Sequence, residues 1–270
     1  MKRIKSSFAL MAVLCMALIS CNKHSAEPDP KPDLPPAVPS IETLKLDLST
    51  VPIQDTKGLT DSCKILSRLY SSFLKIFTEI NEAVINVPTA GLEIVASAEP
   101  TNDGGIWSWS VSDWNFIGQQ YVVSLLGEEQ AGKMVWNLNV SRDGTGSFQN
   151  YTWITGWSEK DGSAGQWNVR VSPYDTDVLV TSDWTASEGR LETCRLTYSL
   201  EHSIGSIGAF FNNSYIEYSH TTSAPEYSES LSVSYFQIGN ISAGFDLEWD
   251  AESGACHFRF GPNAGWHDMN

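Results

Sequence analysis

The chain predicts a mainly β fold: an antiparallel meander forming a curved sheet or barrel, packed on one N-terminal α-helix. Three observations carry this expectation. One long early stretch has helical hydrophobic periodicity, short segments from residue 92 onward alternate apolar and polar residues with period two, and glycine-containing turn dipeptides separate those segments.

The first twenty residues have the form of a secretion signal. Lys2, Arg3 and Lys5 precede an apolar run from Phe8 to Ile19 interrupted only by Cys15. A bilayer-spanning helix needs roughly 20 apolar residues, more than this run supplies, and no later segment approaches that length. Leu18-Ile19-Ser20-Cys21 resembles the lipobox of bacterial lipoproteins, whose cysteine is acylated and becomes the new N-terminus. The resemblance implies a signal peptide over 1–20 and lipidation, palmitate included, at Cys21. A single acyl chain binds a membrane only marginally, so stable anchoring takes a second.

Between Glu27 and Ser40, Pro28, Pro30, Pro32, Pro35, Pro36 and Pro39 alternate with small and acidic residues. That composition predicts a lipidated N-terminus and extended, coreless tether over 21–40, followed by a single helix-plus-β domain over 41–270. At ~3.1 Å per residue the proline stretch would hold the domain on the order of 40 Å from the lipid.

In the domain, Leu59, Cys63, Leu66, Tyr70, Phe73, Phe77, Ile80 and Val84 recur at steps of three and four, widened by Ile65, Leu69 and Ile76. A helix is expected over about 59–86, capped by Thr60 or Asp61 and limited by Pro88. Strands are expected from 92 onward, roughly ten in number. Trp107-Trp109-Val111, Tyr151-Trp153-Thr155-Trp157, Trp167-Val169-Val171, Leu196-Tyr198-Leu200, Phe245-Leu247-Trp249 and Cys256-Phe258-Phe260 each place one face toward a core. Asp103-Gly104, Asp143-Gly144, Asp161-Gly162, Glu188-Gly189 and Ser253-Gly254 stand where hairpin turns are needed. Ser112-Asp113-Trp114 is echoed by Ser182-Asp183-Trp184, without the sustained period of a propeller.

The stretch from Ile106 to Trp184, with Asp113-Trp114-Asn115-Phe116, Gly118-Gln119-Gln120-Tyr121, Val135-Trp136, Tyr151-Thr152-Trp153-Ile154-Thr155-Gly156, Gly165-Gln166-Trp167 and Ser182-Asp183-Trp184, resembles β-rich lipoproteins of Bacteroidota. The resemblance implies lipid anchoring at the cell outer membrane and carries over no activity and no cofactor. Outward-displayed members tend to have an acidic cluster after the cysteine. Here Asn22-Lys23-His24-Ser25-Ala26 follows, which leaves the periplasmic and extracellular faces both open. A helix ahead of an antiparallel meander is also similar to the half-barrels of lipoprotein carriers.

Thirty-two acidic against 17 basic residues give a net charge of −15, which repels phosphate backbones and disfavours nucleic acid as a partner. With Cys15 in the leader and Cys21 acylated, Cys63, Cys194 and Cys256 allow one disulfide at most and are expected to be buried thiols; their spacing suggests no metal. No serine-hydrolase, phosphate-loop or dinucleotide motif is present.

Ten tryptophans are either core or ligand surface. Trp107, Trp109, Trp153, Trp157 and Trp167 are the candidates for binding a glycan or an apolar ligand. Asp113, Asp183, Glu248 and Asp250 adjoin tryptophans, and a facing pair of carboxylates would suit glycan hydrolysis. Strand alternation instead sends acid outward where tryptophan points inward, so no catalytic residue is assigned. His257 and Arg259 share the strand face opposite Cys256, Phe258 and Phe260. The expected function is a membrane-anchored, non-enzymatic binding or accessory module for a glycan, an apolar ligand or an envelope protein. A glycan hydrolase and a purely structural envelope protein are its rivals.

Overall fold

The computed structural model describes residues 34–45, 75, 85–116, 118–144, 146–172, 175–199, 214–220, 227–238, 241–250, 256–261, 265 and 267–268. The chain divides into compact units 1–35 and 36–270, and every element below belongs to the second. The leader, Cys21 and most of the helix expected over 59–86 lie outside the described residues.

Among the described residues, thirteen strands form one antiparallel sheet in strict chain order. They are β1 (Thr101–Asp103), β2 (Ile106–Phe116), β3 (Gln119–Gln130), β4 (Lys133–Arg142), β5 (Phe148–Glu159), β6 (Ala164–Ser172), β7 (Asp175–Ser187), β8 (Arg190–Tyr198), β9 (Ser214–His220), β10 (Glu229–Ile238), β11 (Ile241–Trp249), β12 (Cys256–Phe260) and β13 (His267–Asp268). The sheet is open, since no pairing among the described residues joins β1 to β13. Tight connections explain the simple order. Ala131 and Gly132 (φ 52° and 84°) and Glu188 and Gly189 (φ 52° and 80°) form two-residue turns with both φ values positive, which match the twist of a hairpin.

One face of the sheet is the core. Trp109, Leu125, Leu138, Ile154, Val169, Val180 and Tyr198 lie side by side in register from β2 to β8, and all are buried. The adjacent row runs Trp107, Gly127, Trp136, Gly156, Trp167, Ser182, Leu196, Ile216, Val233, Phe245. Glycines on this face make room for rings. A Cβ on Gly127 would stand 2.6 Å from the Trp136 ring, one on Gly156 2.3 Å from the Trp167 ring, and one on Gly165 2.5 Å from the Trp184 ring. Each tryptophan therefore lies across a glycine of the neighbouring strand, which is the physical content of the aromatic-glycine pattern in the sequence.

Two chain segments cover parts of this face. Helix α1, described over residues 85–96, buries Ile85, Leu92 and Val95 at helical spacing, and Gly91 faces Trp114 and Leu138. Its limits differ from those expected: it continues through Pro88, and the first strand starts at Thr101, not near 92. Pro88 has no amide hydrogen to give; beside it the Thr89 hydroxyl bonds back to the Ile85 carbonyl (2.7 Å) and to that of Asn86 (3.1 Å).

The second cover is a strap over residues 36–45 with a short 3-10 turn at Ile41–Thr43. Trp167 Nε1 donates to Thr43 Oγ1 (2.8 Å), and both Ser182 Oγ and Cys194 Sγ donate to the Thr43 carbonyl. Leu44 is fully buried, Pro39 is buried, and Val38 packs on the core. The expected tether boundary at Ser40 therefore moves. Residues 36–40 are part of the domain, because the three bonds to Thr43 hold the preceding chain against the sheet.

Candidate functional site

The five tryptophans singled out by alternation do not share a surface. Trp109 and Trp167 are core residues, 3% and 1% exposed, and Trp107 and Trp153 are half-buried against that core. Trp157 projects from the opposite face, because it pairs with Val135 and Gln166 while its neighbour Gly156 faces Trp136 and Trp167. The cause is a bulge. Leu138 pairs with Ile154 and Asn139 with Thr152, so Trp153 has no partner and the inward set of β5 shifts from Tyr151 to Ile154, Gly156 and Ser158. Lys133 Nζ sits 3.4 Å from the centre of the Trp157 ring, and Lys133 also pairs with Glu159.

The outer face is a cross-strand ladder of polar groups. Trp157, Gln166, Asp183, Arg195, Glu217, Ser232, Asp246 and Arg259 follow in register from β5 to β12. Gln166 donates to Asp183 (2.7 Å), Arg195 lies 3.5 Å from Glu217 and stacks on Tyr215, and Arg259 donates to Asp246 (2.7 Å). His257 is bonded to Glu248 (2.8 Å), so His257 and Arg259 each face a carboxylate. Asp113 and Asp183 are exposed while Trp114 and Trp184 beside them are buried, the arrangement strand alternation requires. Asp183 and Glu248 are held by different partners.

A buried polar cluster sits at the turn end of β8–β10, where alternation alone could not point. Glu229 (5% exposed) accepts from His220 Nδ1 (2.9 Å), from Arg190 Nη2 (3.0 Å) and from the Tyr218 hydroxyl. Three donors offset the cost of burying its carboxylate. Burial, then the bond to Glu229, holds the Tyr218 hydroxyl well above its ordinary pKa. The cluster exists because His220 and Glu229 are register partners across β9 and β10, a relation no local motif announces.

The described surface also contains a cleft of about 180 Å³ between the strap and the β5–β6 and β7–β8 turns. Val38, Pro39, Ala186 and Leu191 form apolar walls, Trp184 contributes its ring, and Glu42 and Asp161 bring two carboxylates. Backbone and side-chain bonds from Ser163 keep the Asp161 carboxyl below its usual pKa. Trp184 is 3% exposed, and its indole Nε1 meets no acceptor among the described residues.

No family model, no curated protein and no solved structure matches the chain.

Among the described residues no three His, Cys, Asp or Glu side chains gather as metal ligands, and no helix is long and apolar enough to cross a membrane. Cys194 and Cys256 are buried, and Cys63 lies outside the described residues. None of Asp113, Asp183, Glu248 and Asp250 lines the cleft. What the cleft offers is two carboxylates and an apolar wall.

Proposed function

We propose that the chain is a lipid-anchored protein of the cell envelope whose sheet domain is a non-enzymatic binding or accessory module. One observation supports this reading above the others. The tryptophan-rich face is occupied by the protein's own core, strap and helix, whereas the cleft at the strand turns is open, and none of the tryptophan-adjacent carboxylates Asp113, Asp183, Glu248 and Asp250 lines it. Lipid anchoring rests on Lys2, Arg3 and Lys5, the short apolar run and the lipobox-like Leu18-Ile19-Ser20-Cys21. An apolar ligand held among Trp109, Trp136 and Trp167 is disfavoured, because those rings are already in contact with protein.

The test is a titration of intrinsic tryptophan emission in the secreted Cys21→Ser chain with pooled envelope glycans, lipids and envelope proteins in separate arms. Protection of the half-buried rings by one pool supports the reading and names the ligand class. A flat response in every arm rejects it. Incorporation of a palmitate analogue by the wild type, absent in Cys21→Ser, tests the anchor separately.

A further inference from the structure

We infer that the strap over residues 36–45 is a lid latched to the inner face at one residue, Thr43, and that it opens as a unit while the sheet stays folded. The strap's own backbone bonds are local. The Thr43 amide donates to the Ser40 carbonyl (3.1 Å), and the amides of Leu44 and Lys45 donate to the Ile41 carbonyl (2.9 and 3.0 Å). Among the described residues no strand exchanges backbone bonds with it. Side chains tie it down instead: Trp167 Nε1 from β6, Ser182 Oγ from β7 and Cys194 Sγ from β8 all donate to Thr43, two of them to its carbonyl. Release therefore breaks no ladder bond, and the turn carries its own hydrogen bonds with it.

The packing of the strap is one-sided as well. Pro39, Thr43 and Leu44 are buried, whereas Ser40, Glu42 and Lys45 are exposed. The cleft of about 180 Å³ runs along one flank, between Val38 and Pro39 on the strap and Ala186 and Leu191 beside the β7–β8 turn. Local opening follows the number of bonds and buried contacts that it breaks, so a strap with few of either opens more readily than the strands it covers. Opening would bare Trp167, Ser182 and the Cys194 thiol. The inference concerns the chain's own motion and does not depend on a ligand for the module.

Thiol labelling of the full secreted chain carrying Cys21→Ser tests it, with iodoacetamide as the probe and peptide mass spectrometry to follow each cysteine. Cys194 lies under the latch, and Cys256, equally buried on β12 and four strands from β8, reports opening of the sheet itself. In urea below the unfolding midpoint, Cys194 should label at a rate nearly independent of urea, because release of the lid exposes little surface compared with unfolding. Thr43→Val removes the acceptor of the Trp167 indole N–H and should speed Cys194 labelling about tenfold with Cys256 unchanged, while Thr43→Ser should keep the slow rate. Leu44→Ala keeps all three bonds and loses buried surface, and it should speed Cys194 by a similar factor or more. Labelling of Cys194 only with global unfolding, a rate unmoved by Thr43→Val and Leu44→Ala, or a rise in step with Cys256 overturns the inference.

Discussion

At single residues the fold depends on absent side chains as much as on present ones. Gly127→Ala would drive a methyl group to 2.6 Å from the Trp136 ring, and we expect a loss of about 1–3 kcal/mol in chemical denaturation. Gly156→Ala should cost more, since its Cβ would meet both the Trp167 ring at 2.3 Å and the rigid Gln166 carbonyl at 2.4 Å. Cys194 carries a second residue-scale consequence. Burial pushes its thiol from 9.0 up to about 12, so its contribution to stability is complete below pH 9 and is lost as pH rises toward 12. The melting temperature should fall over that window, and Cys194→Ala should flatten the fall without abolishing it, because buried Tyr198 and half-buried Tyr218 are also raised. Glu229→Ala would strand His220 and Tyr218 without their acceptor and should cost about 3 kcal/mol or more, against a smaller loss for Arg190→Ala, whose side chain is 58% exposed.

At the level of elements, the sequence was readable wherever periodicity is local. The inward faces of β2, β11 and β12 follow from alternation, and Glu188-Gly189 marked its own turn. The Ala131-Gly132 turn gave no such signal, because alanine at positive φ is forced by the hairpin and not preferred by it. The β5 face was misread past Trp153, because a bulge reverses inward and outward while leaving the amino-acid pattern intact. The helix was expected to stop before Pro88, because proline normally ends one, yet the chain is helical from 85 through 96. Gly91 sits inside α1 with ordinary contact distances to Trp114, 3.5 Å from a built Cβ, so Gly91→Ala should stabilise by about 0.5–1 kcal/mol, visible as a raised midpoint in urea. Of the candidate site, only the aromatic content was legible. The strap, the cleft and the Glu229 cluster join residues far apart in the chain, as in the bond from Trp167 to Thr43, and such pairings arise from register.

Across the whole molecule, an open sheet of thirteen strands has two edges that other chains could extend. The first edge strand is three residues long and the last two, too short to template much pairing, which limits edge-to-edge association. The repeated crossing of ring over glycine has a further consequence, for which strand of sequence can lie against which. Sliding β4 by two residues past β3 would keep every apolar group on its proper face, so hydrophobic burial alone would not forbid it. Such a slide would bring Trp136 opposite Leu125 or Glu129 instead of Gly127, with a side chain where the ring now lies. Trp167 over Gly156 and Trp184 over Gly165 impose the same condition on the β5–β6 and β6–β7 junctions. The indoles thus act as keys cut for one alignment, making a long meander of similar strands unambiguous to itself as it folds.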